Sequence, residues 1–282
     1  MDCDQALDAS DGGDSATGRM TLQPVETQGP EPRRLRICVA GITGWAGRPV
    51  ADAVEAASDL ELVSGVARSD AAFTSVAEAL DAVPTDVLVD YTSATAVKSD
   101  VDAAIQRKVA VVVGSSGLTA ADFEEIEELA REHEVGVIAA GNFSLTAALM
   151  LRCAAEVARH LESWELIDYA SSAKTDAPSG TARELAERLD AVRKPALGVP
   201  IDEVRGLREA RGATVGETQV HSLRLPSFTL STEVVFAAEG ERLSLRQDAG
   251  GSAAPYVFGT LLAIRAVPGR IGLTRGLDQI LG

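Results

Sequence analysis

The sequence predicts an α/β protein with two sheets: a parallel sheet flanked by helices, then an α+β region with a mixed or antiparallel sheet. Short β-branched runs alternate with amphipathic segments from Leu35 to about residue 140, which is typical of a parallel sheet with helices on both faces. Further along, longer strand-like runs are separated by turn residues such as Leu225-Pro226-Ser227. With 282 residues the chain is long enough for two such domains.

The elements of the first half follow one another closely. Apolar β-branched runs predict strands, and amphipathic runs predict helices. One helix begins with Thr119-Ala120-Ala121-Asp122, a capping-box pattern in which the aspartate can reach back to the first turn. The predicted strands are 35–40, 60–67, 86–91, 109–113 and 135–140, and the predicted helices are 46–57, 95–107, 119–132 and about 145–161.

The second half is expected to contain longer strands, at 164–172 and within 217–247, with an amphipathic helix at 183–192 between them. A final helix at about 255–266 is expected to return to the first sheet. The predicted domains are therefore a dinucleotide-binding domain at 34–143, joined by the C-terminal segment 255–282, and a substrate-binding and oligomerisation domain at 144–254.

Residues 1–33 are predicted to form a disordered tail. They carry seven acidic and two basic residues with few apolar ones, so too little apolar surface is available to offset the entropy of ordering. The segment lacks the basic start and apolar centre of a secretory signal. Met1 and Met20 both remain candidate starts.

Composition excludes several classes of function. Hydrophobic residues make up 46% and charged residues 24%, which is ordinary for a globular protein. The net charge of −16 repels phosphate backbones and anionic lipid, so nucleic acid and membrane partners are not expected. The longest nearly uncharged apolar run, 135–151, is too short to span a bilayer.

Three cysteines, at positions 3, 38 and 153, predict a reducing, cytoplasmic location, because they suit neither a disulfide framework nor a metal site. The chain has 22 arginines but only four lysines. Lys174 is one of the four, and it stands beside the most distinctive motif of the second half.

A glycine-rich loop, Gly41-Ile42-Thr43-Gly44-Trp45-Ala46-Gly47, runs from the first strand into the first helix. Glycines allow the backbone to approach a pyrophosphate, and the helix N-terminus offers free N–H groups and a positive dipole end. The context of strand, helix and second strand predicts a Rossmann-type dinucleotide site. The alternative is a tight strand-to-helix turn without a ligand.

The end of the second strand indicates which dinucleotide is preferred. An NAD-selective site presents an acidic residue to the ribose 2′-hydroxyl, but Ala67 stands at this point and Arg68 and Ser69 follow. A guanidinium pairs well with a 2′-phosphate, so NADPH is favoured and NADH remains possible. In the alternative, Arg68 is solvated and Asp70 takes the acidic role.

Three further loops leave the predicted carboxyl ends of strands, where doubly wound sheets bind ligands. Their small polar residues can line a nicotinamide pocket. The candidate cofactor residues in these loops are Tyr91, Thr92, Gly114, Ser115, Ser116, Gly141, Asn142 and Phe143.

The stretch Lys174-Thr175-Asp176-Ala177-Pro178-Ser179-Gly180-Thr181-Ala182 precedes the amphipathic helix of the second half. Unpaired N–H groups at this helix start, with the hydroxyls of Ser179 and Thr181, form a candidate carboxylate-binding nest. Lys174 can add a charge or a proton. The alternative is a well-capped helix beside an exposed lysine.

The motifs GITGWAG, DYTS, GSSG, GNFS and KTDAPSGTA, in this order, resemble the dihydrodipicolinate reductase family over residues 35–282. The resemblance implies a homotetramer that transfers hydride from NADPH or NADH to a cyclic dicarboxylate. It implies that Lys174 is the substrate lysine and that Ser179, Gly180 and Thr181 bind a carboxylate, with Ser171 on the same side.

The sequence departs from the family where a His-His pair is expected, because Ala170 and Ser171 occupy these positions. The family's later His-Lys-Ala run is replaced by Arg246-Gln247-Asp248-Ala249. Lys174 is the best remaining acid, with Tyr169 and Asp168 as helpers. Candidate substrates are 4-hydroxy-tetrahydrodipicolinate or a related cyclic imine or unsaturated carboxylate.

Two other functions are compatible with these residues. One is a non-catalytic NADPH-binding homologue that has lost the histidines. The other is a short-chain-type dehydrogenase, but Tyr169 and Lys174 are five residues apart in a predicted strand rather than four apart on a helix. A homo-oligomer is predicted because Val234, Phe236, Leu243 and Leu245 form apolar faces that one small domain is expected to leave uncovered.

Overall fold

The predicted parallel sheet is present in the computed structural model, which describes residues 33–282, and we name it sheet A. Its six strands are β1 (Leu35–Ala40), β2 (Leu60–Val66), β3 (Val87–Asp90), β4 (Ala110–Val113), β5 (Gly136–Ala139) and β11 (Gly272–Arg275). They lie in the order β11-β5-β4-β3-β1-β2, and all five pairings are parallel. The predicted tail at 1–33 lies outside the described residues except for Arg33.

Helices cover both faces of sheet A. Side chains along each strand point alternately to the two faces, and both sets are apolar, so each face needs a covering layer. On one side Cys38 and Leu88 pack against three helices, and on the other Ile37 and Val89 pack against two. The first side carries α2 (Val76–Ala82), α3 (Val97–Gln106) and α4 (Ala120–Glu132), and the second carries α1 (Gly47–Ala56) and α7 (Ala254–Ala266). Helix α7, the last α-helix, thus packs against sheet A.

The helix start predicted from the capping-box pattern at Thr119 is confirmed. The capping box is present: Thr119 accepts a hydrogen bond from the Asp122 backbone, and the Asp122 carboxylate accepts one from the Thr119 backbone at 2.7 Å. Helix α2 and strand β11 were not predicted. Both are short, with seven and four residues, and too few residues are present to reveal a period.

The mixed or antiparallel sheet of the second half is also confirmed, and we name it sheet B. Its strands are β6 (Ser163–Ser171), β7 (Ala213–Val215), β8 (Thr218–Leu225), β9 (Leu230–Ala238) and β10 (Glu241–Ala249), in the order β10-β9-β6-β8-β7. Only β6 and β8 pair in parallel. The division into a dinucleotide-binding and a substrate-binding domain stays a prediction.

One face of sheet B packs against α5 (Leu145–Ala158) and α6 (Gly180–Val192). Val234 and Phe236 are fully buried in this core, and Leu245 packs against it. The expectation of an uncovered face was therefore wrong for Val234, Phe236 and Leu245, because the helices of the same chain cover them. Leu243, the fourth residue named, is 41% exposed. The outer face is the open one, with a cleft of about 670 Å³ lined by residues that include Ile167, Leu223 and Val235.

The edge strand β11 carries polar caps from two helices. The backbone N–H of Leu273 donates to the Glu127 carboxylate of α4, and the carbonyl of Arg275 accepts from the Arg188 guanidinium of α6 at 2.9 Å. Side chains therefore occupy hydrogen-bonding groups that an edge strand otherwise offers to another strand.

Within residues 33–282, every helix is too short or too polar to cross a membrane. The same residues contain no group of three His, Cys, Asp or Glu side chains placed to hold a metal ion.

Candidate active site

The glycine loop after β1 is packed so closely that only glycine fits at two positions. Gly41 has a φ of +80°, and a Cβ there would lie 2.1 Å from the carbonyl oxygen of Tyr91. A Cβ at Gly47 would lie 2.1 Å from the carbonyl oxygen of Gly41. Because a real Cβ cannot be accommodated at these distances, both glycines fix the path of the loop into α1.

The loop ends in a helix N-terminus that is open to an anion. Ala46 is the N-cap residue of α1, no side chain caps it, and the first turn holds no acidic residue. Thr43 and Gly44 are exposed, and Trp45 is 63% exposed with its ring edge-on to Tyr256 at 5.7 Å. Free N–H groups at a positive dipole end suit a pyrophosphate.

Arg68 follows β2 at the same edge of the sheet and is exposed to solvent. In the part of the chain that the structure describes, no carboxylate forms an ion pair with it. The preceding backbone is held in place, since the N–H of Ala67 donates to the carbonyl of Phe73 at 3.1 Å. Arg68 is therefore available to a ligand phosphate, as Asp70, also exposed, is to a hydroxyl.

The loops after β3 and β4 are joined by Tyr91 and Asp90. A Cβ at Gly114 would lie 2.2 Å from the Tyr91 ring. The Tyr91 hydroxyl donates to Thr260 at 2.7 Å, since the Thr260 hydroxyl itself donates to the Tyr256 carbonyl. Burial raises the pKa of the Tyr91 phenol. Tyr91 thus supports the loops, whereas Ser116 is exposed to the edge.

The loop after β5 connects the edge of sheet A to α6. The Asn142 side-chain amide donates to the Thr181 hydroxyl at 3.2 Å, and its oxygen accepts from the Ser144 backbone at 2.8 Å. Phe143 is buried in the core, 6.3 Å from the Tyr91 ring centroid. A predicted cofactor residue and a predicted substrate residue, 39 positions apart, are therefore in direct contact.

The start of α6 is organised around Ser179. Its hydroxyl accepts from the Ala182 backbone at 3.3 Å, and its own backbone N–H donates to Asp168 at 2.8 Å. The first turn contains no acidic residue, and nothing lies within 4 Å of a Cβ placed on Gly180. The helix N-terminus therefore faces open space, as a carboxylate-binding nest requires.

Lys174 lies in the turn between β6 and this helix. Its backbone N–H donates to the Ser171 carbonyl at 3.0 Å, and the Ser171 hydroxyl accepts from the Ala173 backbone at 3.3 Å. The Lys174 ammonium lies 2.8 Å from the Asp176 carboxylate, and its side chain is 34% exposed. Ser171 thus shapes the turn that carries the lysine.

Asp168 was predicted to assist proton transfer, but its surroundings favour the charged form. Burial alone would raise its pKa; hydrogen bonds from Arg224 and Ser179 outweigh burial and lower the pKa instead. Arg224 donates to the Asp168 carboxylate at 2.8 Å and to the Asp176 carbonyl at 2.7 Å. The pair holds the start of α6 and the lysine turn in place.

Tyr169 is separated from these groups by the sheet. Adjacent residues of a strand point to opposite faces, and Asp168 points towards α6. The Tyr169 hydroxyl donates to Glu233 at 3.0 Å on the outer face, and Arg246 lies over its ring at 4.6 Å. Burial and the Glu233 carboxylate raise its pKa. The structure does not bring Tyr169 to the N-terminus of α6.

Two family models match the chain, the dihydrodipicolinate reductase N-terminus over residues 35–143 and the C-terminus over residues 146–281. The chain belongs to the dihydrodipicolinate reductase family. It is 38% identical to the 4-hydroxy-tetrahydrodipicolinate reductase of Cutibacterium acnes over 251 residues, which cover 88% of this chain and 99% of the relative. The corresponding reductase of Nocardia farcinica is also 38% identical, with 88% and 98% covered. The chain is thus an oxidoreductase of this family.

Solved structures agree with the architecture. Dipicolinate-bound dihydrodipicolinate reductase from Paenisporosarcina sp. TG-14 superposes with a TM-score of 0.76 at 27% identity, covering 88% of this chain and all of that one. GenD2 from gentamicin A biosynthesis, in complex with NAD, has a TM-score of 0.60 at 16% identity, with 88% and 90% covered. This second likeness shows the fold alone.

The dihydrodipicolinate reductase motifs predicted the candidate loops of the site. They did not predict the side chains whose hydrogen bonds fix those loops in position. Arg224 and Asp90 were not predicted as site residues. Arg224 lies 56 residues from Asp168, so no local pattern marks the pair. The one available signal was an arginine within a predicted strand region, because a charge that becomes half-buried needs a partner.

In this member of the dihydrodipicolinate reductase family, Ala170 and Ser171 occupy the positions of the expected His-His pair. Ala170 is fully buried between Leu230 and Arg224 of the neighbouring strands, and Ser171 is half-buried. Position 170 therefore faces the helix side of sheet B, together with Asp168.

Proposed function

We propose that the protein is an NAD(P)H-dependent reductase that transfers hydride to a C=N or conjugated C=C bond of a small mono- or dicarboxylate. The observation that carries this proposal is the hydrogen bond between Asn142 and Thr181. It places the carboxyl edge of sheet A beside the open N-terminus of α6. The edge of sheet A suits a dinucleotide, and the N-terminus of α6 suits a carboxylate. The Asn142–Thr181 contact therefore supports a meeting point of the two reactants between them.

The residues of sheet A fit a dinucleotide. Gly41, Gly44 and Gly47 leave room for the pyrophosphate at the uncapped start of α1. Arg68 supports NADPH as the preferred form, because its exposed guanidinium has no carboxylate partner among the described residues. When bound, the reduced nicotinamide supplies a hydride, which is two electrons and one proton.

The residues around α6 fit a carboxylate. Gly180 and Thr181 offer N–H groups and a hydroxyl, and no acidic residue in the first turn opposes an anion. Lys174 pairs with Asp176 at 2.8 Å, and we propose that it exchanges this partner for a substrate carboxylate. The dipicolinate bound in the solved relative supports a ligand of this class.

Reduction of C=N or C=C also needs one proton, at nitrogen or at the second carbon. Lys174 is the proposed donor, because Asp168 is held in its charged form by Arg224 and Tyr169 donates to Glu233 on the other face of sheet B. Asp168 and Arg224 act on the reaction only by positioning the lysine turn and the start of α6.

The proposed substrates are 4-hydroxy-tetrahydrodipicolinate, supported by the names of the relatives, and a related cyclic imine or unsaturated carboxylate. The second is favoured by Ala170 and Ser171, which replace two imidazoles with small side chains. A pocket that has lost two potential proton donors is expected to act on a different substrate from that of relatives that carry them.

Oxidation of NADPH by the purified protein tests the proposal. The panel contains the product of dihydrodipicolinate synthase, other cyclic imines and unsaturated dicarboxylates, with NADH in parallel. Turnover of the synthase product assigns the first substrate, and turnover of another member of the panel with little activity on that product assigns the second. Binding of NADPH without oxidation by any member would contradict the proposal.

Assembly and location belong to the same proposal. The apolar cleft on the outer face of sheet B supports a homo-oligomer, and the resemblance to the family supports a tetramer in the cytoplasm. Light scattering at micromolar concentration tests the assembly, and a monomer would contradict it.

A further inference from the structure

Asp90 lies at the end of β3, beneath the edge where the cofactor is proposed to bind, and it is fully buried. One of its carboxylate oxygens accepts three hydrogen bonds. The donors are the Thr92 backbone at 3.1 Å, the Thr92 hydroxyl at 2.9 Å and the Ser115 hydroxyl at 2.5 Å. Thr92 belongs to the loop after β3 and Ser115 to the loop after β4, so one carboxylate connects two loops.

No cation balances this carboxylate. Within residues 33–282 neither Asp90 nor the nearby Asp100 of α3 forms an ion pair, and the second oxygen of Asp90 is buried with no partner other than the Asp100 carboxyl. Asp100 lies 3.5 Å from the Thr92 hydroxyl. Burial raises the pKa of both carboxyls, that of Asp100 to about 6.

A buried carboxylate without a cation costs folding free energy, and an apolar residue would avoid this cost. A carboxylate oxygen, however, can accept several strong hydrogen bonds at once. The three donors to Asp90 all come from the two loops that carry candidate cofactor residues. This points to a role at the edge of the sheet rather than in the core.

We infer that Asp90 is a positioning residue for the cofactor, because its carboxylate fixes the Thr92 and Ser115 loops in the single arrangement that binds the nicotinamide half. The inference rests on the proposed function in that it assumes a dinucleotide at this edge. Asp90 itself does not touch the cofactor. It acts through the hydroxyl of Thr92 and the backbone of both loops.

The test is titration of the purified protein with NADPH for the wild type, Ser115→Ala, Asp90→Asn and Asp90→Ala. Binding is followed by the change in tryptophan fluorescence, to which the exposed Trp45 beside the glycine loop and the buried Trp164 both contribute. Ser115→Ala removes one of the three hydrogen bonds and should weaken NADPH binding about tenfold. Asp90→Ala removes all three and should weaken it further. Asp90→Asn keeps an acceptor oxygen and should bind more tightly than Asp90→Ala.

Steady-state kinetics separate positioning from general damage. The KM for NADPH should rise in Ser115→Ala and Asp90→Asn, while the KM for the carboxylate substrate stays within about twofold. Ser99→Ala is the matched control: its exposed hydroxyl donates only to the Ala96 carbonyl at 2.8 Å and does not contact Asp90. Its NADPH affinity should equal that of the wild type.

Three outcomes would overturn the inference: unchanged NADPH affinity in Ser115→Ala, equal affinities in Asp90→Asn and Asp90→Ala, or an equal loss in Ser99→Ala. If Asp90→Ala does not fold, Ser115→Ala and Asp90→Asn decide the question through the split between the two KM values. A wild-type protein that binds neither NADPH nor NADH contradicts the proposed function itself, which is a different result from either.

Discussion

Asp90 in sheet A and Asp168 in sheet B are both fully buried, yet their pKa values move in opposite directions. Burial raises the pKa of Asp90. Burial acts the same way on Asp168, but Arg224 and Ser179 overcome it and lower the pKa. The part of the molecule around sheet A, the proposed cofactor half, thus relies on neutral hydroxyl and N–H donors. The part around sheet B, the proposed substrate half, contains an ion pair between Asp168 and Arg224. Removal of one charged side chain should therefore lower the free energy of unfolding far more in the substrate half, where it leaves its partner buried without a counter-charge.

The largest effect is expected from Arg224→Met. This change removes the cation that pairs with Asp168, so that Asp168, like Asp90, would have no cation partner. An uncompensated charge at Asp168 should lower the free energy of unfolding by about 3 to 5 kcal/mol at pH 7. Urea denaturation measures this loss. The lowered pKa of Asp168 contributes stability that is present above 3.8 and lost as pH falls through its folded value, so the variant should also lose this part of the pH dependence.

Arg246→Met is the matched control for Arg224→Met. Arg246 lies on the outer face of the same sheet, 40% exposed, and pairs with Asp248 at 2.8 Å. Exposed ion pairs contribute about 0 to 1 kcal/mol. Equal losses in the two variants would show that burial of the Asp168–Arg224 pair is not what stabilises the substrate half.

The second prediction concerns Lys174, whose ammonium pairs with Asp176 and is proposed to exchange this partner for the substrate. Lys174→Met should lower kcat/KM about 10- to 100-fold, because a hydrogen bond to a charged group contributes about 1.5 to 3 kcal/mol. The Kd for NADPH should not change. Lys194→Met, which removes an exposed lysine paired with Glu217, provides the control, and comparable losses in both would exclude a specific role for Lys174.

The third prediction concerns Arg68, the exposed residue that follows β2 at the edge of the cofactor half. Arg68→Ala should weaken NADPH binding about tenfold and leave NADH binding nearly unchanged, because only NADPH carries the 2′-phosphate. Titration with both cofactors measures the difference. Arg107→Ala removes a surface arginine paired with Asp81 and should affect neither. A parallel loss of NADH affinity in Arg68→Ala would show that this arginine does not bind the 2′-phosphate.

The smallest effect is expected from Asp100→Asn. This change removes one of the two neighbouring carboxyls of the cofactor half, Asp90 and Asp100, and leaves the other in place. A folded pKa of about 6 against an ordinary value of 3.8 means that the native state binds the proton more tightly. The stability contributed by Asp100 is therefore present below pH 3.8 and lost as pH rises through 6.

The variant should consequently gain stability relative to the wild type between pH 4 and pH 7, by on the order of 1 kcal/mol after allowance for solvent screening. Denaturation midpoints across this range measure the gain. A difference that stays constant with pH would mean that Asp100 titrates as an ordinary surface carboxyl.

The cofactor half could be predicted from sequence because its signals are local. Gly41 and Gly47 stand six residues apart, and each is required by a backbone contact at the same turn. The Thr119 capping box is equally local. Such patterns depend on residue spacing within one loop or one helical turn, which the sequence displays directly.

The organisation of the substrate half could not be predicted in the same way. Asp168 and Arg224 meet because β6 and β8 pair in parallel, and nothing in the sequence gives that pairing. The same gap explains the error about Val234 and Phe236: alternation showed that they share one face, but which face the helices cover is a tertiary property. Ala170 and Ser171 were noticed only through the resemblance to the family.

Sheet A is completed by the last strand of the chain. Gly272 of β11 pairs with Gly136 of β5, so during synthesis on the ribosome the outer edge of β5 has no neighbour until residues 272–275 have emerged. An apolar strand in this state is able to pair with another nascent chain. The caps from Glu127 and Arg188 protect the finished edge, but a chain that lacks β11 would expose β5 permanently and favour aggregation.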